Sequence, residues 1–589
     1  MTRQYIGARY VPKFADPLEW NSGMAYEALT IVTYNYSSYT SKKPVPVGVA
    51  PTNSEYWALT GNYNAQMNQV LTGFSELKEN FASVTYYGAA GDDETDDTQA
   101  FQEMFDDLDA GGFFYIPKGT YLISSPLSVP SNCTIVCDGV IHSTIDPATD
   151  RVHKGVFEIV QQKNVNMIGV NIIGNVPDDP SEQYISASPT WYCGIFVDRS
   201  DYVRIDRCSI QKFEGGYCIL GQYTTNFWVT NCYIYRFKWI GICSHIGCVD
   251  VFFINNSVID PYGRTISGND NGTVPNSYPI KLSGYDEDPE IYDYHVENVM
   301  CIGNYVECKF AWWEGIDAHG GRNLTIADNV IVGSATGIMV SDQNTEDQGK
   351  WKMDGCTIRG NTIVMQSYIS DIIPVGNCFG IVAGGSNITV ADNIMENGGC
   401  AKANASAYKG GIYIRAAKGC TVSNNVMSNV CGLGFYFTGD CEDVNISNNT
   451  CHFTEDSDVQ DYSQNWCILT AYIGAERVCR NLIIHDNTFR CDSKAMQIVR
   501  APSSLNNGSY IKCQNNTYLG EYTLGSNPQN ALCDFVASTG AASVKIGQFG
   551  DMIKNIDFDG TNTYAWVCTQ SAGTDLSQHP ATWTAVSFS

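Results

Sequence analysis

Glu314 and Asp317 stand three residues apart, preceded by Trp312 and Trp313 and followed by His319. Two carboxyl groups in unlike surroundings are what hydrolysis of a glycosidic bond requires. One stays protonated to help the leaving oxygen depart, while the other stays ionised as base or nucleophile. Exposed indole rings stack on the apolar faces of sugars. A lysine beside Asp317 would hold that carboxylate ionised, and two indoles beside Glu314 would raise its pKa. The expected catalytic set is therefore Asp317 as base or nucleophile, Glu314 as acid, His319 assisting, and Lys281 next to Asp317. Trp312, Trp313, His245, Asp286, Asp342 and Arg415 are the candidate substrate contacts.

A repeat must position these residues. Residues 315–342 read GIDAHGGRNLTIADNVIVGSATGIMVSD, in which Gly-Ile opens a unit and Gly337-Ile338 opens the next. The Gly-apolar opener recurs at Gly194, Gly216, Gly241, Gly380, Gly411 and Gly434. An Asn before a short strand recurs at Asn256, Asn304, Asn329, Asn361, Asn393, Asn425, Asn449, Asn487 and Asn516, with Cys208 and Cys232 in the same slot. Many of these intervals are 24 or 25 residues, and those of 32 fit one coil plus an inserted loop. One such unit cannot bury its apolar face alone, whereas a stack can. The pattern predicts an all-β parallel β-helix over residues 86–520. It would hold at most about 17 coils spaced about 4.8 Å apart, over a length of about 60–80 Å. The repeated Asn reads as structural, its amide stacked on the next coil.

With Ile316 pointing inward, strand alternation sends Asp317 and His319 outward. Stacking the openers gives two outward columns: Cys243, Lys281, Asp317, Met339 and His245, Ser283, His319, Ser341. Ionisable groups gather on the coils near 242, 280 and 316, beside insertions at 260–278 and 284–295 that could wall a groove. The same residues also allow a structural reading. Trp312 and Trp313 would then fill a bulge, Asp317–Lys281 would be a surface ion pair of little energetic value, and His319 would sit in a turn. Other chemistries fit as well: β-elimination with Lys281 or His319 as base, or phosphodiester hydrolysis with a divalent metal at Asp317 and His319. The glycosidase reading needs no cofactor.

The chain has 589 residues and a net charge of −27, which argues against a phosphate-tracking partner such as nucleic acid. The opening MTRQYIGARYVPKF lacks the apolar core of a secretory leader, and no segment reaches the length needed to span a bilayer. The chain is thus expected to be made in a cytoplasm. None of its 23 cysteines forms a Cys-x-x-Cys pair. Several fall at repeat positions, so reduced, buried thiols are expected rather than a disulfide scaffold.

Ahead of the repeat, residues 1–61 carry Trp20, Tyr26, Tyr34, Tyr39 and Trp57 on short β-like runs. This stretch resembles the small chitin-binding-type carbohydrate modules, in which such aromatics bind sugar or form the core. Residues 62–85 place Met67, Val70, Phe74, Leu77, Phe81 and Val84 on a heptad seam, which predicts a helical neck joining three chains. The stretch YYGAAGDDETDDTQAFQ, followed by FFYIPKGTYLI, resembles the opening of pectate-lyase-superfamily β-helices, with Asp92-Asp93 in place of the usual Asp-Gly. Asp96 is expected to N-cap a helix there, with Gln99 completing a capping box. The helix's Ala100, Phe101, Met104, Phe105 and Leu108 would plug the first coil. Residues 521–589 lack the marker Asn and read as a terminal cap or a tip module. Together these parts resemble phage tail spikes and tail appendages. The resemblance implies a right-handed β-helix in a homotrimer on the virion tail, attached through its N-terminal module. It further implies binding, and usually depolymerisation, of a host-surface polysaccharide or teichoic acid. A non-enzymatic receptor-binding adhesin is the alternative on the same scaffold.

Overall fold

The computed structural model describes residues 18–62 (except 36), 81–176 (except 109 and 146–152), 192–261, 264–266, 274–282, 296–308, 314–342, 352–365, 378–398, 409–453, 465–470, 479–492, 496–500, 511–520 and six further strands between 522 and 587. They fall into two units, Met1–Phe81 and Ala82–Ser589.

In the first unit Leu18–Glu19, Ile31–Tyr34, Ser37–Ser41 and Trp57–Asn62 form a four-stranded sheet. Tyr26, Val32, Val45 and Trp57 make its core, with Trp20 and Tyr39 half-buried against them. Two of the candidate sugar-binding aromatics, Tyr26 and Trp57, are therefore spent on packing. Most of the expected neck lies outside the described residues. Its described end departs from a helix: Phe81–Ser83 is a strand and Val84–Tyr87 a single 3₁₀ turn.

The second unit is a parallel β-helix with three ladders. In one coil, for example, Glu314–His319, Gly321–Ala327 and Val330–Val332 each pair in parallel with the equivalent strands above and below. The ladder containing Val330–Val332 has 15 strands, a stack roughly 65 Å long at 4.8 Å per strand.

Each marker has a physical reason. A Cβ added to Gly315 would sit 2.5 Å from Ile331 and 2.9 Å from the Gly337 carbonyl, and one on Gly337 would sit 2.5 Å from the Gly380 carbonyl. From Gly315 through Gly337, Gly380 and Gly411 to Gly434 the openers thus form a column of glycines stacked too closely for a side chain. On lower coils Cys218 and Pro279 take that slot, and Gly216, expected as an opener, lies two residues before it. Each marker Asn sits after a residue in the left-handed conformation (Asn255, Gly303, Asp328, Gly360, Asp392, Asn424, Asn448, Asp486 and Asn515). Gly, Asn and Asp adopt that turn at least cost. The Asn then turns its amide inward and joins a buried ladder, each Nδ2 donating to the next Oδ1 at 2.8–3.0 Å from Asn256 to Asn516. Cys232 enters from below, its N–H donating to Asn256 Oδ1. The cysteines whose side chains are described are buried and form no disulfide.

The cap helix spans Thr98–Asp107, with Ala100, Phe101, Met104 and Phe105 buried and Leu108 packed beside them. Its start differs from the expected capping box. Asp97 occupies the N-cap and its carboxylate instead accepts from the Ala90 and Gly91 N–H groups at 2.6 and 3.0 Å. Asp96 ends a strand and accepts from Thr98, while Gln99 bonds Glu103. A tie to the preceding loop replaces a tie within the helix. At the other end, Phe535–Val536, Met552–Asn555, Thr563–Gln570 and Thr582–Ser587 form a separate four-stranded sheet. Its Trp566 joins the main core and Trp583 packs against that core.

Candidate functional site

The site is built on Glu314–His319, between Tyr278–Lys281 on one side and Thr336–Ser341 on the other. Ile316 and Ala318 face the core. Gly315 also faces inward, since its missing Cβ would point at Ile331. Two consecutive inward positions shift the alternation by one. That shift puts Glu314 and Asp317, which strict alternation would separate, on the same outer side.

Asp317 lies in register with Lys281, whose Nζ donates to Oδ2 at 2.8 Å. The ammonium also lies 3.9 Å from the centroid of the Tyr278 ring. On the other carboxylate oxygen, His319 Nε2 stands 3.0 Å from Oδ1. That N–H is close enough for an ion pair but out of line for a hydrogen bond, so Oδ1 keeps no aligned donor among the described residues. The far ring nitrogen, Nδ1, is 3.0 Å from Ser341 Oγ. The expectation of a solvent-facing Asp317 needs correction. Its side chain is 0% exposed, that of Lys281 7%, and only His319, at 24%, reaches water. The residue is on the outer side, as alternation from Ile316 requires, but it is covered. The ion pair is accordingly not the weak surface pair of the structural reading.

Electrostatics separates the two carboxyls. Burial pushes Asp317 up, but the adjacent charges of His319 and Lys281, with the Lys281 hydrogen bond, outweigh it and hold it well below the usual carboxylate range. Burial, and then the negative charge of Asp317, push Glu314 well above its ordinary value, with Lys281 opposing. Burial alone would drive Lys281 down; Asp317 and Tyr278 reverse that and hold it protonated. Glu314 Oε2 is buried and has no hydrogen-bond partner among the described residues. The pair thus consists of one neutral and one ionised carboxyl within electrostatic reach of each other.

The remaining candidates are placed as follows. His245 is buried 6.0 Å from the ring of His153. His153 packs on Phe196 and Tyr217, and burial lowers its pKa to about 4. Asp342 is committed to the backbone, accepting from Met353 N–H at 2.6 Å; burial raises its pKa, opposed by that hydrogen bond and by the charges of Lys352 and Arg415. Trp312, Trp313, Asp286 and Ser283 lie outside the described residues, as do the insertions apart from Asp260, Pro261, the antiparallel hairpin Arg264–Ile266/Val274–Asn276, Ser277 and Tyr278. Sequence reasoning missed Tyr278, which occupies the position equivalent to Tyr217 and Ile240 on lower coils. Ser341 was visible in the His319 column, but its hydrogen bond was not. Apolar clusters flank the charged centre along the same columns: Cys193, Phe196, Tyr217, Leu220, Ile240, Cys243 and Tyr278 below, and Phe379, Val382, Tyr413, Leu433 and Tyr436 above.

Two family models match the chain: "Rhamnogalacturonase A/epimerase, pectate lyase-like" over residues 81–176, and "Right handed beta helix region" over 154–379 and 304–533. The pre-neck appendage protein of Bacillus phage B103 is 24% identical over 296 residues, covering 42% of this chain and 33% of that protein. The pre-neck appendage protein of Bacillus phage phi29 is 28% identical over 214 residues, covering 32% and 24%. The chain thus spans a third or less of the length of these curated relatives. Among solved structures, a mutant tailspike protein of E. coli bacteriophage HK620 in complex with a hexasaccharide aligns over 84% of this chain and 90% of its own, at 14% identity and a TM-score of 0.45. With both overlapping matches together running from 154 to 533, more than half of its length, the chain belongs to the right-handed β-helix family.

Proposed function

We propose that this chain is a phage tail appendage that binds a polysaccharide of the host surface and hydrolyses a glycosidic bond in it. The observation that carries the reading is the pair of buried carboxyls, Glu314 and Asp317, held in opposite protonation states on one side of one strand. Neutral Glu314 donates a proton to the leaving oxygen, and ionised Asp317 acts as base or nucleophile. Lys281 keeps Asp317 charged in a site that water barely reaches. His319, the exposed edge of the cluster, carries protons between Asp317 and solvent, and Ser341 fixes its ring. Elimination with Lys281 as base fits less well, because Asp317 holds that amine protonated. The phage relatives support assembly on a virion tail; a homotrimer, attachment through residues 1–61 and a neck at 62–85 belong to the same proposal.

The test is incubation of the purified protein with host envelope polysaccharide, followed by sizing and end-group analysis. New reducing ends support hydrolysis. An ultraviolet-absorbing unsaturated product, released glycerol phosphate, or binding without cleavage would each replace it with elimination, phosphodiester hydrolysis or adhesion.

The pH dependence follows from the same pair. Glu314 must be protonated to act, so kcat/KM should fall as pH rises through its elevated pKa. Asp317 is held ionised well below the usual range, so no acid limb should appear between pH 4 and 6, where an ordinary carboxylate pair would produce one. A kcat/KM profile over pH 4–9 checks both limbs.

A further inference from the structure

A second cleft lies on a different ladder, away from the Glu314–Asp317 strand. It has a volume of about 320 Å³ and lies between two outward columns, Asn166, Arg204 and Trp228 on one side and Ile168, Asp206 and Thr230 on the other. Stacking of successive coils gives this wall its order. Trp228 lies flat against Phe252 of the next coil, with ring centroids 5.1 Å apart and planes 6° from parallel. Arg204 of the coil below holds its guanidinium 4.8 Å over the other face of the indole.

That arrangement leaves Arg204 preorganised and uncommitted. The guanidinium makes no hydrogen bond or ion pair with any described residue. Stacking on the indole fixes its plane while its N–H fork remains open, the arrangement in which arginine takes a carboxylate or phosphate bidentately. On the opposite wall the Asp206 carboxylate is held by other partners. Asp206 already accepts from Thr230 Oγ1 and Asn231 Nδ2 at 2.8 Å each, and from Arg207 Nε at 2.8 Å. Both faces of Trp228 are occupied, so a ligand meets the indole edge rather than a stacking platform. In a chain of net charge −27, an unpaired cation in a cleft is unlike its surroundings. The volume is at the small end for ligand clefts, about 300–1,000 Å³, and suits one sugar ring.

We propose that this cleft is a second glycan-binding site, taking one acidic sugar unit whose carboxylate or phosphate sits on Arg204 while a ring hydroxyl meets Thr230. It holds an anionic surface polymer on a face of the β-helix separate from the candidate catalytic strand, about 19 Å (four coils) along the axis from Asp317. The site does not depend on what Glu314 and Asp317 do.

Binding is measured by calorimetry on the full chain carrying Glu314→Gln, so that cleavage cannot confuse the result. Trigalacturonate, a glycerol phosphate trimer and neutral maltotriose serve as probes. Saturable binding of one or both anionic probes, but not of maltotriose, is expected; the anion preferred tells carboxylate from phosphate. Arg204→Met keeps a chain over the indole but removes the fork, and should weaken that binding at least tenfold with an unchanged unfolding midpoint. Indole fluorescence of Trp228, read as the difference from Trp228→Phe, should respond to the same ligand. Equal binding of maltotriose, no binding of either anionic probe, or full affinity in Arg204→Met would each overturn the proposal.

Discussion

Glu314→Gln should abolish polymer cleavage while leaving the protein at least as stable as its parent. The loss expected for removing a general acid is about 10²–10⁴-fold in kcat. Stability responds in the opposite sense because the carboxyl is raised by burial and by Asp317. A group whose folded pKa lies above its unfolded value favours the folded state most below the unfolded value, and that contribution disappears as pH rises through the folded one. Glutamine mimics the neutral acid at every pH, so the two proteins should match near pH 4 and the variant should become the more stable as pH rises. Asp317→Asn should behave differently. It also removes turnover, but it leaves Lys281 buried without its partner, a loss of about 3–5 kcal/mol. Adding Lys281→Met to Asp317→Asn should recover most of that stability and none of the activity. Chemical unfolding of the four proteins between pH 4 and 8, with rates from reducing-end release, separates the effects. If Glu314→Gln cleaves polymer at the parental rate, Glu314 is not the acid.

The winding was legible because its two markers answer to different constraints and repeat in phase. The opener must be Gly where the next coil's carbonyl would strike a Cβ, as at Gly315 and Gly337. The marker Asn must be an amide where each rung both donates and accepts. Along those runs neither can be replaced cheaply, so both show in a single sequence. Contacts along a column were legible too, since Lys281 and Asp317 each directly follow an inward isoleucine, Ile280 and Ile316. Burial of that column was not. Alternation gives the side on which a residue lies and says nothing of what covers it, so Asp317 could be read as exposed. The shift at Gly315, which lets Glu314 share a side with Asp317, was hidden for a related reason. A strict period of two contains no pair of successive inward positions, and only the closeness of Ile331 to Gly315 reveals one. The helix start failed more locally: Asp96 and Asp97 are equally good caps by type, and the loop N–H groups at Ala90 and Gly91 decide between them.

The second large effect should come from the middle of the Asn ladder. Asn393 is 0% exposed, and its Oδ1 accepts from both the N–H and the Nδ2 of Asn361, at 3.0 and 2.9 Å. Its own Nδ2 donates to the Ile358 carbonyl and to Asn425 Oδ1. Asn393→Ala therefore strands two donors of Asn361 and a carbonyl, all out of reach of water. Each orphaned group costs about 1–3 kcal/mol, so a total loss of about 3–5 kcal/mol is expected after relaxation. Aspartate is a sharper probe than alanine, because it can still accept from Asn361 but cannot donate upward while ionised. Asn393→Asp should recover stability as pH falls and the carboxyl gains a proton, whereas Asn393→Ala should not. Asn445 is exposed and its Oδ1 meets His485 Nε2 at 3.1 Å on the surface, so Asn445→Ala should cost no more than about 1 kcal/mol. Unfolding curves at pH 4.5 and 7.5 distinguish a ladder that works by hydrogen-bond continuity from one that merely fills space. Equal losses for Ala and Asp at both pH values would mean that volume, not the chain of amides, holds the coils together.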